Sequence, residues 1–190
     1  MLASRSPRRL DLLRMVGVGD LRVIPDDAEE VLVHKLSPEE TVGEIALTKA
    51  KNVSRLCNKD DIIIAADTLV YLDGKPIGKP IDKADAAVIL KSLSGKRHVV
   101  YTGVVLLKDG VHVSETEITY VYFRDISDEE ISAYIETGEP MDKAGAYAAQ
   151  GRAAVFVRRI EGDFFNVMGL PLCRLNAMLK TFGYYLSGAF

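Results

Sequence analysis

The sequence is poor in the residues that build metal clusters and covalent staples. Only two of its 190 residues are cysteine (Cys57 and Cys173), and only three are histidine (His34, His98 and His112). The cysteines lie far apart and in no metal-type spacing, so they read as free thiols of a reducing compartment. The histidines are isolated from one another, which argues against a histidine metal cluster or a histidine-based triad. No apolar run approaches the ~18 residues that span a bilayer, and no secretory leader precedes the chain, so a cytoplasmic protein without a membrane partner is expected. GxxxxGK[ST] is missing, so this is not a P-loop. There is no repeat, low-complexity tract or obvious linker. The formal net charge of −3 lacks the basic excess that bulk nucleic-acid binding uses, and no nucleic-acid partner is expected. A local cationic pocket stays open.

What is present suits one globular domain over residues 1–190. Hydrophobic residues make up 48 % and charged residues 27 %, an ordinary balance at a length that can bury a real core. MLASRSPRRLDLLRMVG places Ser6 as N-cap and Pro7 at the first position of a helix that ends at Gly17. A short strand is expected over Leu21–Ile24. A capping box, Ser37 with Glu40, starts the next helix. DIIIAADTLVYLDGKPIGKP reads as a strand, an Asp73-Gly74 turn and a return strand. Asp82 caps a third helix, a second hairpin turns at Asp109-Gly110 and runs to Phe123, and Ser127–Gly138 is a further helix. AAVFVRRI and FFNVMG read as strands, and Pro171 starts the last helix. Helices interleave with hairpins, so the fold class is α/β: a mixed sheet with packed helices.

The informative residues are polar ones in apolar surroundings. Asp67 interrupts the buried-strand pattern IIIAADTLVYL, where an isolated carboxylate is costly unless it meets a cation, a metal or hydrogen-bond donors; Thr68 adds a second polar atom. Lys49 lies on the apolar stripe of its helix, four residues from both Ile45 and Val53. It either snorkels past the core edge or points into a cleft, and methionine there is expected to leave folding intact. Gly78-Lys79-Pro80 can hold its lysine at a fixed angle. GEPMDKAGAYAAQG sets Glu139, Asp142, Lys143 and Gln150 among glycines and alanines that let a ligand approach the backbone. Arginines at the start of a helix are unusual, and Ser4, Ser6, Arg8 and Arg9 together form a candidate anion site. Four placed cations (Arg8, Arg9, Lys49, Lys79) with Asp67 and the acidic DDAEE stretch suit a polyphosphate held with a divalent metal.

These segments, in this order, resemble the Maf family of nucleoside triphosphate pyrophosphatases. The matching pieces are LASRSPRR, the lysine of ALTKA, AADTLV, GKP, LSGKRH with TGV, GEPMDKAGAYAAQG and VMGLPL, which together span nearly the whole chain. The resemblance implies an elongated, two-lobed fold with a central cleft, similar to that of the inosine triphosphate pyrophosphatases. It implies metal-dependent hydrolysis of a nucleoside triphosphate to monophosphate and pyrophosphate, with Mg2+ or Mn2+, and a homodimer is a family expectation. DKAGAY with a downstream glutamine marks the subgroup that takes dTTP and UTP, with house-cleaning of non-standard nucleotides as a possible role. In that subgroup Asp67 is the catalytic base, and Arg8, Thr68 and Gln150 are linked to substrate choice. Ser4, Ser6, Arg8, Arg9, Lys49, Thr68, Lys79, Lys143 and Gln150 are the expected substrate-binding residues. Asp67 and Glu30 are the expected metal ligands. Ala148 and Ala149 depart from the family's Gly-Ile, which opens the question of how the loop carrying Gln150 sits. Two alternatives remain at this level: a 7-methyl-GTP pyrophosphatase of the same family, and a nucleotide-binding regulator of cell division without turnover.

Overall fold

The computed structural model describes residues 1–26 and 36–186. Among them, β1 (Leu2–Ala3), β2 (Ile63–Leu72), β3 (Lys75–Ile77), β4 (Arg97–Lys108), β5 (Val111–Phe123) and β6 (Val157–Glu161) form one sheet. Its order is β1-β2-β4-β5-β6, with β3 also on β2. β1 runs parallel to β2, while β3 on β2 and β6 on β5 are antiparallel, so the sheet is mixed as expected. Among the described residues six α-helices accompany it: α1 (Pro7–Met15), α2 (Pro38–Ser54), α3 (Lys83–Leu93), α4 (Asp128–Glu136), α5 (Phe164–Met168) and α6 (Leu172–Lys180). None of the described helices is long and apolar enough to cross a membrane.

Local chemistry accounts for most boundaries. α2 and α4 both start with a complete capping box, Ser37 with Glu40 and Ser127 with Glu130. The Asp82 side chain caps α3 by accepting the Asp85 N–H. Both hairpins turn on a left-handed Asp-Gly pair: Asp73 (φ 50°) with Gly74 (φ 76°), and Asp109 (φ 45°) with Gly110 (φ 79°). That geometry matches the twist of the flanking strands. At α1 the N-cap residue is Ser6, but its side chain caps nothing; Ser4 Oγ instead accepts the Ser6 N–H at 3.1 Å.

Three expectations change. The strand at Leu21–Ile24 reduces to a single bridge between Val23 and Leu2, because β1 offers only two residues to pair with. FFNVM is a helix rather than a strand: Asp163 Oδ1 accepts the Phe165 N–H at 2.7 Å, an aspartate cap that the apolar pattern conceals. Only the second part of AAVFVRRI is extended, since Arg152–Phe156 forms a 3-10 turn.

Two compact units divide the chain. The first comprises Met1–Asp67, Thr102–Glu117 and Gly169–Phe190; the second comprises Thr68–Tyr101 and Ile118–Met168. In the first unit, Ala46, Ala50 and Val53 of α2 pack on Ala3, Ile63, Ala65, Val105 and Leu107 of the strands. The alanines bring the helix close to the sheet. The approach is tightest at Gly103, where an added Cβ would lie 2.5 Å from the Val42 carbonyl. In the second unit, α3 and α4 share a core with Val100, Phe123, Tyr147 and Phe156.

Candidate active site

In the first unit the site grows from the register of β1 on β2. Leu2 pairs with Ile64 and Ala3 with Ala65, so the chain leaves β1 beside the strand residues that lead into Asp67. Asp67 is 5 % exposed. Its Oδ1 accepts from Lys49 Nζ at 2.6 Å. Its Oδ2 is buried and meets no hydrogen-bond partner among the described residues. The close α2–sheet packing explains the reach of Lys49, whose aliphatic stem runs along the apolar stripe while its ammonium meets the carboxylate. The Lys49 ammonium therefore points to Asp67. This pairing revises the expectation that methionine would be tolerated there, because the lysine is the counter-charge of a buried carboxylate.

Arg9 is buried at the start of α1. Its Nε donates to the Gly169 carbonyl at 2.8 Å and its Nη1 to Ser4 Oγ at 3.1 Å. The guanidinium therefore ties the SRSPRR turn to the VMGLPL segment, a link of 160 positions that periodicity cannot reveal. Ser4 is buried, whereas Ser6 and Arg8 are half-buried in the same turn. Asn52, one helical turn beyond Lys49, donates to both carboxylate oxygens of Asp26 at 3.3 and 3.2 Å. That bond brings the start of the acidic stretch to α2, and sequence reasoning missed it because an asparagine on a mid-helix polar face carries no distinguishing pattern. Glu30 lies outside the described residues.

In the second unit the GKP and DKAGAY segments come together. The Gly145 N–H donates to the Gly78 carbonyl at 3.0 Å, next to Lys79. Gly145 takes φ 73°, and a Cβ there would press on Val70 at 3.2 Å, so the close approach of this loop to β2 needs glycine. Lys79 is exposed, Thr68 is half-buried, and the Lys143 ammonium pairs with the Asp142 carboxylate. A turn closed by Gly151 N–H on the Ala148 carbonyl, at 3.0 Å, carries Gln150. Ala148 and Ala149 are buried and Gln150 is exposed, so the two alanines face inward and leave the glutamine outward.

Titration sets one further residue apart. His98 on β4 is buried between Phe123 and Tyr147, with Nε2 sharing a hydrogen bond with Tyr147 Oη at 2.8 Å. Desolvation lowers its pKa to about 4, so the ring is neutral at physiological pH. It is a packed core histidine, not a candidate base. Among the described residues no group of three or more His, Cys, Asp or Glu converges on one point.

The order of these segments has a counterpart among known proteins: the Maf-like protein family matches residues 1–182. The chain belongs to the Maf family. This Maf-family chain is 44 % identical over 98 % of its length, and 96 % of the other's, to a dTTP/UTP pyrophosphatase of Caldicellulosiruptor saccharolyticus. It is 48 % identical to the dTTP/UTP pyrophosphatase of Symbiobacterium thermophilum, covering 97 % of this chain and 94 % of that one. The dTTP/UTP pyrophosphatase of Dictyoglomus thermophilum is also 48 % identical, covering 98 % and 97 %. Among solved structures, a nucleoside-triphosphatase / dITP/XTP pyrophosphatase from Mycobacterium abscessus is similar with a TM-score of 0.39 and 20 % identity, over 64 % of this chain and 71 % of that one.

Proposed function

We propose that this chain hydrolyses dTTP and UTP to the nucleoside monophosphate and pyrophosphate. The observation that carries the reading is the Lys49–Asp67 pair: a buried carboxylate with one oxygen held by an ammonium and the other without a donor among the described residues. The names of relatives at 44–48 % identity over nearly the full chain support the substrate class.

The chemistry follows from what these side chains can do. Water attacks the α-phosphorus in line with the departing pyrophosphate; an O–P bond forms and the α–β anhydride bond breaks. Lys49 fixes the orientation of Asp67 through Oδ1, and the Asp67 carboxylate orients the water and takes its proton. Arg8, Lys49 and Lys79 supply positive charge for the oxygens that gain negative charge as pyrophosphate leaves. Arg9 acts one step back, holding Ser4 and the Gly169 carbonyl in place.

A divalent cation fits this donor set. Asp67 Oδ2 is a hard, buried oxygen that meets no hydrogen-bond donor among the described residues. Asp67 would hold Mg2+ or Mn2+, with Glu30 as the expected second ligand. Such an ion, when bound, makes hydroxide available near neutral pH. Gln150, on an outward turn, offers one donor and one acceptor to the acceptor–donor–acceptor edge of uracil or thymine. Lys143, on the DKAGAY segment, would disfavour a cationic base such as 7-methylguanine where it lines the base site. Thr68 and Arg8 complete the specificity set.

The test is pyrophosphate release from dTTP, UTP, CTP, GTP and 7-methyl-GTP, each with Mg2+, with Mn2+ and with EDTA. Metal-dependent turnover confined mainly to dTTP and UTP is expected. Preference for 7-methyl-GTP, or binding without turnover, would overturn the reading.

A further inference from the structure

The turn that carries Gln150 is held at both ends by a single carboxylate that the reaction itself does not use. Glu139 follows α4 in the second unit. Its Oε1 accepts the Tyr134 hydroxyl at 2.9 Å and the Arg152 N–H at 3.0 Å; its Oε2 accepts the same N–H at 3.1 Å. The Tyr134 hydroxyl in turn accepts the Ala148 N–H at 3.3 Å. Ala148 and Arg152 flank Gln150 by two residues on either side. Both of their backbone N–H groups therefore lead to Glu139, one directly and one through a tyrosine.

Two observations make this a designed seat. A Cβ on Gly151 would lie 2.5 Å from Glu139 Oε1 and 2.6 Å from Oε2, so the residue after Gln150 must be glycine for the carboxylate to sit under the turn. The other end is anchored in the core: Tyr134 is 3 % exposed and its ring meets Phe156 edge-on at 5.3 Å. The donors to Glu139 are a phenol and a backbone amide, and its partners hold geometry rather than balance charge.

We infer that Glu139 is a positioning residue for base selection, acting with Tyr134 by fixing the direction in which Gln150 presents its amide. This rests on the reading of Gln150 as the base contact. A site built on hydrogen bonds rejects a wrong edge only while its own donors and acceptors are rigidly placed. Loosening the turn lets the glutamine satisfy other edges, so binding of the preferred base weakens and competitors gain.

The experiment compares the full-length parent, Glu139→Ala, Glu139→Gln, Gln150→Ala and Glu139→Ala/Gln150→Ala on dTTP, UTP and CTP. Glu139→Ala is expected to raise KM for dTTP and UTP roughly fivefold to tenfold with kcat nearly unchanged, and to narrow their advantage over CTP. Glu139→Gln keeps an acceptor oxygen and should recover most of that loss. In the Gln150→Ala background the Glu139 substitution should add nothing to the change in selectivity. A common fall in kcat for all three substrates would overturn the inference, as would full additivity of the two substitutions. Gln150→Ala with parental selectivity would overturn the base reading and this inference together, whereas a strong Gln150→Ala effect with an inert Glu139→Ala overturns the inference alone. If Glu139→Ala fails to fold, Tyr134→Phe removes the other link to the turn while keeping the ring, and the same shift in selectivity is expected; its absence would refute the role.

Discussion

Replacing Lys49 by methionine separates packing from charge. Methionine matches the apolar stripe of α2 and the length of the lysine stem, so the packing loss is small. The electrostatic loss is not. The lysine and aspartate side chains expose 14 % and 6 % of their surface, and the ammonium–carboxylate bond is 2.6 Å long. Removing one partner of a buried pair destabilises by about 3–5 kcal/mol, because the remaining charge is left without compensation. The residual access at Lys49 places this pair at the lower end, about 3 kcal/mol, which for a chain of this size is a fall in Tm of about 6–12 °C. The double variant Lys49→Met/Asp67→Asn removes both charges and should regain at least half of the loss. Urea and thermal unfolding of the parent, both single variants and the double variant give the cycle. A Lys49→Met protein as stable as its parent would refute the argument, and so would a double variant no more stable than Lys49→Met.

Gly103→Ala should destabilise by about 1–3 kcal/mol, because its Cβ would sit 2.5 Å from the Val42 carbonyl and 2.7 Å from the Gly43 nitrogen, and two backbones cannot yield as a side chain can; thermal unfolding measures it, and an unchanged Tm would mean that α2 slides freely on β4. His98 gives a pH dependence of definite sign. Burial lowers its pKa from 6.5 to about 4, so the neutral ring is favoured in the folded state. Its contribution is complete above pH 6.5 and is lost as the pH falls toward 4, by about 3 kcal/mol in all. Unfolding free energies of the parent and His98→Gln between pH 7.5 and about 4 should diverge by that amount, with the parent showing the steeper acid loss; parallel curves would contradict it.

Most elements were legible because their signals are local. Capping boxes at Ser37 and Ser127, Asp-Gly turns, and the apolar runs of β2 and β4 are each contained within a few residues. The errors fell where a partner outside the segment's own apolar pattern decides the outcome. FFNVM has strand-like composition, but Asp163 caps it as a helix, and the Thr119 hydroxyl accepts the Asn166 amide at 2.9 Å. Leu21–Ile24 has a strand's pattern, but its neighbour β1 is two residues long. The site was legible to the same degree. Asp67 and Lys49 stood out as charges in apolar contexts, and the structure joins them. Arg9 reads as a substrate cation beside Arg8, yet burial and the Gly169 carbonyl engage it in the scaffold. Glu139 stood out only as one charge among several in GEPMDKAGAYAAQG, and Tyr134 gave no signal, since a tyrosine on the apolar face of a helix is ordinary until the fold links it to Glu139 and to the turn of Gln150.

The central claim is that Asp67 carries the hydrolysis, and Asp67→Asn tests it most directly. Asparagine keeps the shape at a position 5 % exposed and removes both charge and basicity. Pyrophosphate release from dTTP and UTP by folded Asp67→Asn protein, with folding verified by near-UV circular dichroism, should fall by roughly 10²-fold or more, the scale expected for loss of a general base. Near-parental turnover by a folded Asp67→Asn protein would contradict the account.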